Sequence, residues 1–181
     1  MVNATGPLHH DTERLHLLRP RPADADEVFA RYASDPAVTK YLGWPRHRTV
    51  EDTREFIAWS DDQWTRHPAG PYLIRARADG RLLGSTGFTF DDDGGAMIGY
   101  VIARDAWGVG YATEALMAVI QIAREVGVAG LYAFCHPDHR ASIRVLEKGR
   151  FVRDDSAVTT MRFPNLQGAA DTDVLCYRRW C

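Results

Sequence analysis

The sequence predicts a mixed α+β fold, in which one sheet of seven strands carries helices on both of its faces. Three observations lead to this prediction. The 181 residues suit one domain better than two. A hydrophobic fraction of 45% is sufficient for one sizeable core. Short runs of strand composition are interspersed with segments of helical period, in the order β-α-α-β-β-β-α-β-α-β-β.

The N-terminal region is expected to contain a flexible arm followed by the first strand. Residues 1–12 show no periodic pattern, so we predict a loose arm ahead of a single domain over 13–181. The run from Glu13 to Arg19 has the composition of a strand, and the prolines that follow end it.

Two helices are expected next. Acidic residues occupy the first turn of a segment from about Ala23 to Ala33, where the helix dipole favours them. Thr49 suits the N-cap of a second helix that reaches Trp64, and Asp52 at the third helical position provides a variant of the capping box. The aromatic residues of this helix are interpreted as core.

The rest of the chain predicts six more strands and two more helices. Apolar residues recur at helical spacing from Tyr111 to Val126, and the apolar run from Leu131 to Cys135 is typical of a buried strand. The acidic segment at 91–95 is interpreted as a solvated hairpin tip, because its spacing is not that of a calcium loop. The remaining strands are expected at 72–76, 81–90, 97–103, from 151 onward and at 174–180, with a short helix at 142–148.

Composition and charge exclude several classes of function. The 22 basic and 24 acidic residues give a net charge of −2, and no basic run predicts a direct nucleic-acid partner. No apolar stretch reaches the ~20 residues of a membrane span, and no signal peptide is visible, so we expect a cytoplasmic protein without a membrane partner. Three cysteines are too few and too irregular for a disulfide framework or a zinc site, and no metal cofactor is expected. The assembly is expected to be a monomer or a homodimer.

The segment from Trp107 to Ala115, WGVGYATEA, contains the strongest chemical signal. It joins a predicted strand to the start of the long helix, where unpaired backbone N–H groups and the helix dipole favour an anion. Gly108 and Gly110 lack Cβ atoms, so a phosphate can approach the backbone closely, and Ala112 keeps the first turn small. These features favour a pyrophosphate site over an ordinary strand-to-helix turn.

Two other phosphate-binding motifs fit this segment less well. A Walker loop ends in Gly-Lys-Ser/Thr, which is absent here. A dinucleotide fingerprint has a third glycine that this segment lacks, and it follows the first strand of a parallel sheet rather than a mid-chain hairpin. A nucleotide-phosphate enzyme is therefore the least favoured alternative.

WGVGYATEA resembles the coenzyme A loop of the GNAT superfamily of N-acetyltransferases, in its RimJ/RimL-like branch, and the preceding IGYVIARDAW is similar to that branch as well. The superfamily pattern Gln/Arg-x-x-Gly-x-Gly/Ala aligns with residues 107–112, with tryptophan in the first position as in this branch. A valine stands where the branch often has a polar or basic residue. The resemblance implies that acetyl-coenzyme A is the cosubstrate and that backbone amides hold its pyrophosphate. The implied cofactor-binding residues are Trp107, Gly108, Val109, Gly110, Tyr111, Ala112 and Thr113.

A second block, from His136 to Phe151, is similar to the family pattern Asn-x-x-Ser-x-x-x-x-x-Lys-x-Gly-Phe. Ser142 matches the serine, which in the family lies near the sulfur, so the resemblance implies a catalytic contact with the leaving thiolate. The alternative, that Ser142 only caps or packs the short helix, stays open. His139 replaces the asparagine that contacts the pantetheine arm, and keeps one hydrogen-bond donor and one acceptor. Gly149-Arg150 stands where the family has a small residue and then glycine.

The resemblance covers nearly the whole chain and implies the family fold. This fold is a mostly antiparallel seven-stranded sheet that splays between its fourth and fifth strands, here those expected at 97–103 and 131–135, to admit the coenzyme. A backbone N–H near Val101 is the implied oxyanion donor. The pantetheine arm is expected to pair with the edge of the fourth strand formed by Tyr100, Val101 and Ile102.

The implied reaction is the direct attack of a neutral primary amine on the thioester in a ternary complex. The acceptor is expected to be a protein or peptide N-terminal α-amine, or a small-molecule amine, held near residues 41–49, where Trp44 and His47 lie. No general base is identifiable, and the place of Cys135 inside an apolar strand argues against an acetyl-cysteine intermediate. A non-catalytic acetyl-coenzyme A sensor or interaction domain is the alternative from another class.

Overall fold

The computed structural model describes residues 6–91, 95–168 and 171–181. The strands in these residues are β1 (His9–Asp11), β2 (Leu15–Leu18), β3 (Tyr72–Ala76), β4 (Leu82–Phe90), β5 (Ala96–Ile102), β6 (Gly130–Cys135), β7 (Val152–Arg153), β8 (Thr160–Arg162), β9 (Asp171–Asp173) and β10 (Leu175–Trp180). The α-helices are α1 (Ala25–Val28), α2 (Pro36–Thr39), α3 (Val50–Arg66), α4 (Tyr111–Glu125) and α5 (Arg140–Lys148). None of the helices within these ranges is long and apolar enough to cross a membrane.

One mixed sheet organises the described part of the chain. Its strands follow the order β1-β2-β3-β4-β5-β6-β10-β7, and β8 and β9 form a separate hairpin. Every neighbouring pair is antiparallel except β5 and β6, which are parallel. The predicted class, an α+β fold with a mostly antiparallel sheet, is confirmed. The main sheet has eight strands in the described residues instead of the predicted seven.

The additional strand lies in the segment predicted to be a loose arm. His10 pairs with Leu17, which places β1 at the edge of the sheet beside β2. The sequence shows no strand signal here because His-His-Asp offers no alternation of apolar and polar residues. Backbone pairing to an existing edge is sufficient to order it. The flexible-arm prediction is therefore wrong for these residues, while residues 1–5 lie outside the described ranges.

The C-terminal region also contains more strands than predicted. The sequence predicts two strands from 151 onward, whereas residues 151–168 and 171–181 contain four, because the β8–β9 hairpin lies between β7 and β10. The β8 and β9 segments are short and polar, so they show no periodic pattern. The tip of the hairpin predicted at 91–95 includes residues 92–94, which lie outside the described residues.

The predicted N-terminal helices are present, with more varied hydrogen bonding than expected. The segment predicted at 23–33 is a 3₁₀ turn, then α1, then a π-helical turn at Phe29–Ala33. Helix α3 begins with the predicted capping box: Thr49 Oγ1 accepts from the Asp52 N–H, and Asp52 Oδ2 accepts from the Thr49 N–H at 2.9 Å. Helix α2 was not predicted from the sequence, although the Asp35 side chain caps it.

The core lies on both faces of the sheet. On one face, α4 and α5 pack in a large cluster that includes Leu116 and Ile74. On the other face, the helical region around α1 packs Val28 and Tyr32 against Leu73 of β3. This arrangement confirms the predicted helices on both faces.

In the turn after α5, Arg150 stands where the resemblance implies a glycine. Arg150 adopts a left-handed conformation with φ of 57°, which glycine tolerates more readily. Gly149 has ordinary φ, but a Cβ built there would lie 2.6 Å from the Leu116 side chain of α4. The glycine is therefore required for close helix packing, and the arginine takes the strained position.

The parallel pair β5 and β6 separates along its length. Pairing is confined to two positions, Ala96 with Leu131 and Met97 with Tyr132. Beyond these positions the two strands continue in the same direction without pairing. The sheet is thus splayed between the strands that the sequence predicted, and the opening positions the candidate site.

Candidate active site

A cavity of about 1050 Å³ occupies the opening between β5 and β6. It is bounded by both strands, by α5 and by the loop that leads into α4. Of the predicted site residues, only Val109 lies outside its lining; its side chain is exposed. The predicted site residues that line the cavity are Tyr100, Val101, Ile102, Trp107, Gly108, Gly110, Tyr111, Ala112, Thr113, His139 and Ser142.

The loop before α4 has the geometry of an anion site. Gly108 and Gly110 have φ of 80° and 90°, in the region that favours glycine. Gly110 is the N-cap of α4 and supplies no side chain, so first-turn N–H groups remain available. A Cβ built on Gly108 would meet no atom within 4 Å, which leaves the approach to the backbone open. These features fit a bound pyrophosphate.

The β1–β2 turn supports this loop from outside the cavity. Arg14 Nη1 donates to the Val109 carbonyl at 3.1 Å, and Arg14 Nε donates to Glu114 Oε2 at 2.7 Å. Burial opposes ionisation of Glu114, but hydrogen bonds from Thr12 and Arg14 outweigh it and hold its pKa below the usual value. In a trans peptide the C=O and the following N–H point in opposite directions. Arg14 therefore directs the Gly110 N–H away from itself.

The backbone of β5 alternates between the sheet and the cavity. Ala103 N–H donates to the Leu83 carbonyl of β4 at 2.7 Å. By the alternation of an antiparallel ladder, Val101 is also in a hydrogen-bonded pair, with Ser85 opposite it. The N–H of Val101, expected as the oxyanion donor, is thus directed toward β4. The backbone groups that face the opening belong to Tyr100 and Ile102.

Trp107 forms a hydrogen bond at one end of the cavity-facing edge of β5. Its Nε1 donates to the Ile102 carbonyl at 2.7 Å, which satisfies one of the acceptors on the open side of β5. The indole is otherwise largely exposed beside the glycine loop. The tryptophan that stands first in the loop therefore connects β5 to the anion site.

Ser142 meets a partner that the sequence did not predict. Its Oγ lies 2.8 Å from the Tyr100 hydroxyl, which also donates to the Ser142 carbonyl at 3.1 Å. Burial raises the pKa of the Tyr100 hydroxyl, so the phenol stays protonated. When the phenol O–H donates to the Ser142 carbonyl oxygen, the serine hydroxyl is the donor in the shorter contact. The two hydroxyl groups, each with one proton to donate, therefore lie side by side in the cavity lining.

His139 and His136 are fixed in the same tautomer. His139 Nδ1 accepts from the Ser142 N–H at 3.4 Å, and His136 Nδ1 accepts from the Asp138 N–H at 3.1 Å. Burial lowers the pKa of His139, and the neighbouring His136 adds to this effect. The neutral His139 ring therefore carries its proton on Nε2. Both rings lie about 5 Å from the ring of Tyr41.

Cys135 lies in the cavity wall as a thiol. Burial raises its pKa, and the nearby Ser142 hydroxyl lowers it to a smaller extent. Its Sγ donates weakly to the His136 carbonyl at 3.5 Å. A nucleophilic cysteine needs a lowered pKa, so the environment opposes an acetyl-cysteine intermediate.

Aromatic and apolar residues form the wall opposite the cofactor loop. Tyr41 and Trp44 line it from the segment after α2, and Met161 and Phe163 line it from the C-terminal region. Asn165 joins these two segments: its Nδ2 donates to the Thr39 and Trp44 carbonyls at 2.8 and 2.9 Å, and its Oδ1 accepts from the Arg46 N–H. The sequence indicated the region around Trp44 but not the C-terminal partners. His47 is not among the lining residues, and its Nδ1 forms a hydrogen bond with Thr53 Oγ1.

The charges of the lining are positive. Arg144 and Lys148, one turn apart on α5, both line the cavity, as does Lys40. No aspartate or glutamate is among the described residues that line it. The described part of the lining is therefore suited to an anionic ligand and offers no carboxylate as general base.

A splayed sheet with an anion-binding loop at one end of the opening and a hydroxyl pair in its middle defines a coenzyme A-dependent acyltransferase. Comparison with known proteins identifies the family. The acetyltransferase (GNAT) domain matches residues 14–152. The "Uncharacterized N-acetyltransferase p20" of Bacillus licheniformis is 32% identical over 146 residues, which cover 79% of this chain and 82% of that protein. The chain belongs to the GNAT acetyltransferase family.

Solved structures share the fold. The GNAT-family acetyltransferase of Bacillus anthracis has a TM-score of 0.78 at 24% identity, and the match covers 95% of this chain and 98% of that one. RimL, the ribosomal L7/L12 alpha-N-protein acetyltransferase in complex with coenzyme A, has a TM-score of 0.78 at 21% identity, with 96% of each chain covered. The protein is an acetyltransferase that uses acetyl-coenzyme A to acetylate an amine.

Proposed function

We propose that the acceptor is an amine that reaches the cavity already neutral: an N-terminal α-amine of a peptide or protein, or a small-molecule amine of lowered pKa. One observation carries the proposal. The described lining contains no carboxylate, and its two histidines both use Nδ1 as an acceptor for a backbone N–H, which leaves a protonated Nε2. Neither ring is then poised to remove a proton from the amine.

The ordinary pKa values of amines determine which acceptor can react at a site without a general base. An α-amine with a pKa near 8 is roughly one-tenth neutral at pH 7, whereas a lysine amine with a pKa near 10.4 is neutral in about one molecule in a few thousand. The difference corresponds to about 3 kcal/mol, at 1.36 kcal/mol per pKa unit. A site without a strong base therefore favours α-amines.

The cofactor end of the site follows from the loop. Amides from Gly108 to Thr113 are proposed to bind the pyrophosphate, with Arg14 orienting the Val109–Gly110 peptide from behind. The positive side chains of Arg144 and Lys148 complement the phosphates. The cavity-facing N–H groups of Tyr100 and Ile102 and the Tyr100 carbonyl are available for the pantetheine amides, since Trp107 occupies only the Ile102 carbonyl of this edge. When bound, acetyl-coenzyme A supplies an activated acetyl thioester.

Ser142 is proposed as the residue that contacts the leaving sulfur. The amine nitrogen forms the new bond to the acetyl carbon as the bond to sulfur breaks. The nitrogen then loses one proton and the thiolate gains one, so the reaction is balanced without an external acid or base. Ser142 Oγ turns its one proton toward the sulfur, and the Tyr100 hydroxyl, 2.8 Å away, then donates to the serine oxygen and holds it in place. The raised pKa of Cys135 favours direct transfer in a ternary complex over a covalent intermediate.

The acceptor wall and the relatives support the same class of substrate. Tyr41, Trp44, Met161 and Phe163 offer an apolar, aromatic surface for the group next to the amine. RimL, which shares the fold, is an alpha-N-protein acetyltransferase by name.

We place the reaction in the cytoplasm, since Cys135, Cys176 and Cys181 are all free thiols, as is usual in a reducing compartment.

Peptide acetylation across pH 6 to 9 tests the proposal. One peptide set has a free N-terminus and no lysine, and the matched set has a blocked N-terminus and one lysine, with thiol release as the readout. Free-N-terminus peptides should react faster at pH 7, with kcat/KM rising about tenfold per pH unit below the amine pKa. Preferential acetylation of the blocked, lysine-bearing peptides would refute the proposal. No thiol release with any amine, despite a melting temperature raised by acetyl-coenzyme A, would favour the sensor alternative.

A further inference from the structure

Two histidines and one aspartate converge on the edge of the sheet, on strands β1 and β2. His9 Nε2 and His16 Nδ1 each lie 2.5 Å from Asp11 Oδ1. The two imidazole nitrogens are 3.3 Å from each other. The three potential ligand atoms thus surround one point at the protein surface.

Strand pairing explains why these side chains meet. His9 and Asp11 are two residues apart on β1, so their side chains share a face of the strand. His16 of β2 is directly opposite Asp11 in the register, on the same face. His10, between the two ligands on β1, faces the other way. The spacing is therefore set by the antiparallel pair and not by a chance approach of mobile loops.

The donor set indicates which ion would bind. Imidazole nitrogens favour zinc, copper, cobalt and nickel, whereas magnesium and calcium prefer oxygen ligands. Two histidines and one carboxylate leave positions open for water.

We propose that His9, Asp11 and His16 form a binding site for a divalent transition-metal ion, best suited to zinc. Metal–nitrogen and metal–oxygen bonds of about 2.0–2.2 Å place tetrahedral ligand atoms about 3.3–3.5 Å apart. The two nitrogens already have this separation. The carboxylate oxygen has to move outward by about 1 Å, which an exposed side chain on an edge strand can do.

The site is separate from the acetyl-transfer centre. None of its three residues lines the large cavity. Its neighbour Thr12 donates to Glu114 Oε1 at 2.6 Å, so the metal site lies next to the turn that supports the cofactor loop. A bound ion would join β1 to β2 and stabilise an edge strand of only three residues.

Metal titration of the purified full chain tests this proposal. After treatment with a chelator and buffer exchange, the protein is titrated with ZnCl₂ in a calorimeter and with CoCl₂ in a spectrophotometer, and MgCl₂ serves as the negative control. We expect one-to-one saturation with zinc in the micromolar range and a visible absorption band with cobalt. Amide hydrogen exchange of residues 9–11 should slow when zinc is present.

Single substitutions identify the ligands. His9→Gln, Asp11→Asn and His16→Gln should each weaken zinc binding by more than the roughly 10- to 100-fold that loss of an outer-shell partner costs. His10→Gln is the matched control, on the same strand but the opposite face, and should bind zinc as the wild type does. All four positions are on the surface edge, and circular dichroism checks that each variant is folded. Absence of one-to-one zinc binding, or equal binding by the His9→Gln and His16→Gln variants and the wild type, would overturn the proposal.

Discussion

Replacing Gly110 with alanine perturbs the coenzyme loop without removing any side-chain contact. Gly110 has φ of 90° and ψ of 2° at the N-cap of α4. An alanine in a left-handed conformation costs roughly 1–2 kcal/mol. The new Cβ would lie 3.5 Å from Arg14 Nη2, which is an ordinary contact, so the cost arises from the backbone and not from a clash.

The strain should appear as a loss of coenzyme affinity. In the free variant the Val109–Gly110 peptide can rotate to relieve the strain, because the exposed Arg14 hydrogen bond that orients this peptide contributes less free energy than the strain costs. Binding of acetyl-coenzyme A has to restore the strained conformation. A cost of about 1–2 kcal/mol then raises the dissociation constant about 5- to 30-fold, at 1.4 kcal/mol per factor of ten.

Gly80→Ala provides a matched control. Gly80 also has a left-handed φ, of 72°, and a Cβ there would meet nothing within 4 Å. It lies outside the cavity lining. Calorimetry with acetyl-coenzyme A should show an unchanged dissociation constant for Gly80→Ala and a melting temperature lowered by roughly 2–4 °C per kcal/mol of strain. If Gly110→Ala binds within twofold of the wild type, the left-handed conformation at 110 is a requirement of the fold and not of coenzyme binding.

Three further predictions test the rest of the site. Ser142→Ala should lower kcat by about 10- to 1,000-fold with little change in coenzyme affinity, and Tyr100→Phe should show a smaller loss of kcat; wild-type turnover in Ser142→Ala would leave the serine only a packing role, since His139 caps the helix. Arg14→Gln should raise the KM for acetyl-coenzyme A several-fold at nearly constant kcat, since it supports the loop from behind. Arg19→Gln, just past the other end of β2 and paired with Asp61, should leave both unchanged; equal effects of the two would contradict the support role. The pKa of His139 is lower in the folded protein than in the unfolded chain, so the unfolded chain binds more protons and stability falls as the pH drops below about 6.5. His139→Asn keeps a side-chain cap and should lose less in melting temperature between about pH 7.5 and pH 5.5 than the wild type; an equal loss would show that other groups dominate.

Local sequence patterns predicted the parts of this protein whose causes are local. The capping box of α3 depends on residues three apart, and both Thr49 and Asp52 take their expected roles. The glycine loop before α4 was recognisable because Gly108 and Gly110 are needed where the chain turns into a helix. Helix α4 was found from the spacing of apolar residues, and strand β6 from its apolar run, although the residues of β6 alternate between buried and more exposed positions instead of being buried throughout.

Other features required contacts between distant parts of the chain. Arg14 and Glu114 are 100 residues apart, and Asn165 bonds Trp44 across 121 residues. Tyr100 meets Ser142 only because β5 and α5 lie on two sides of the opening in the sheet. Each of these side chains is unremarkable in its own stretch of sequence, so no local pattern indicates its partner.

The sequence by itself determined the family, the order of the main elements and the loop suited to coenzyme A, because these depend on residue types at short spacings. Only the tertiary structure decided that residues 9–11 join the sheet, and that the N–H of Val101 is directed into the sheet while Tyr100 and Ile102 face the cavity. The physical reason is register. Whether a backbone group pairs within the sheet or faces the opening depends on which residue of a distant strand lies opposite it, and a shift of one residue reverses the outcome.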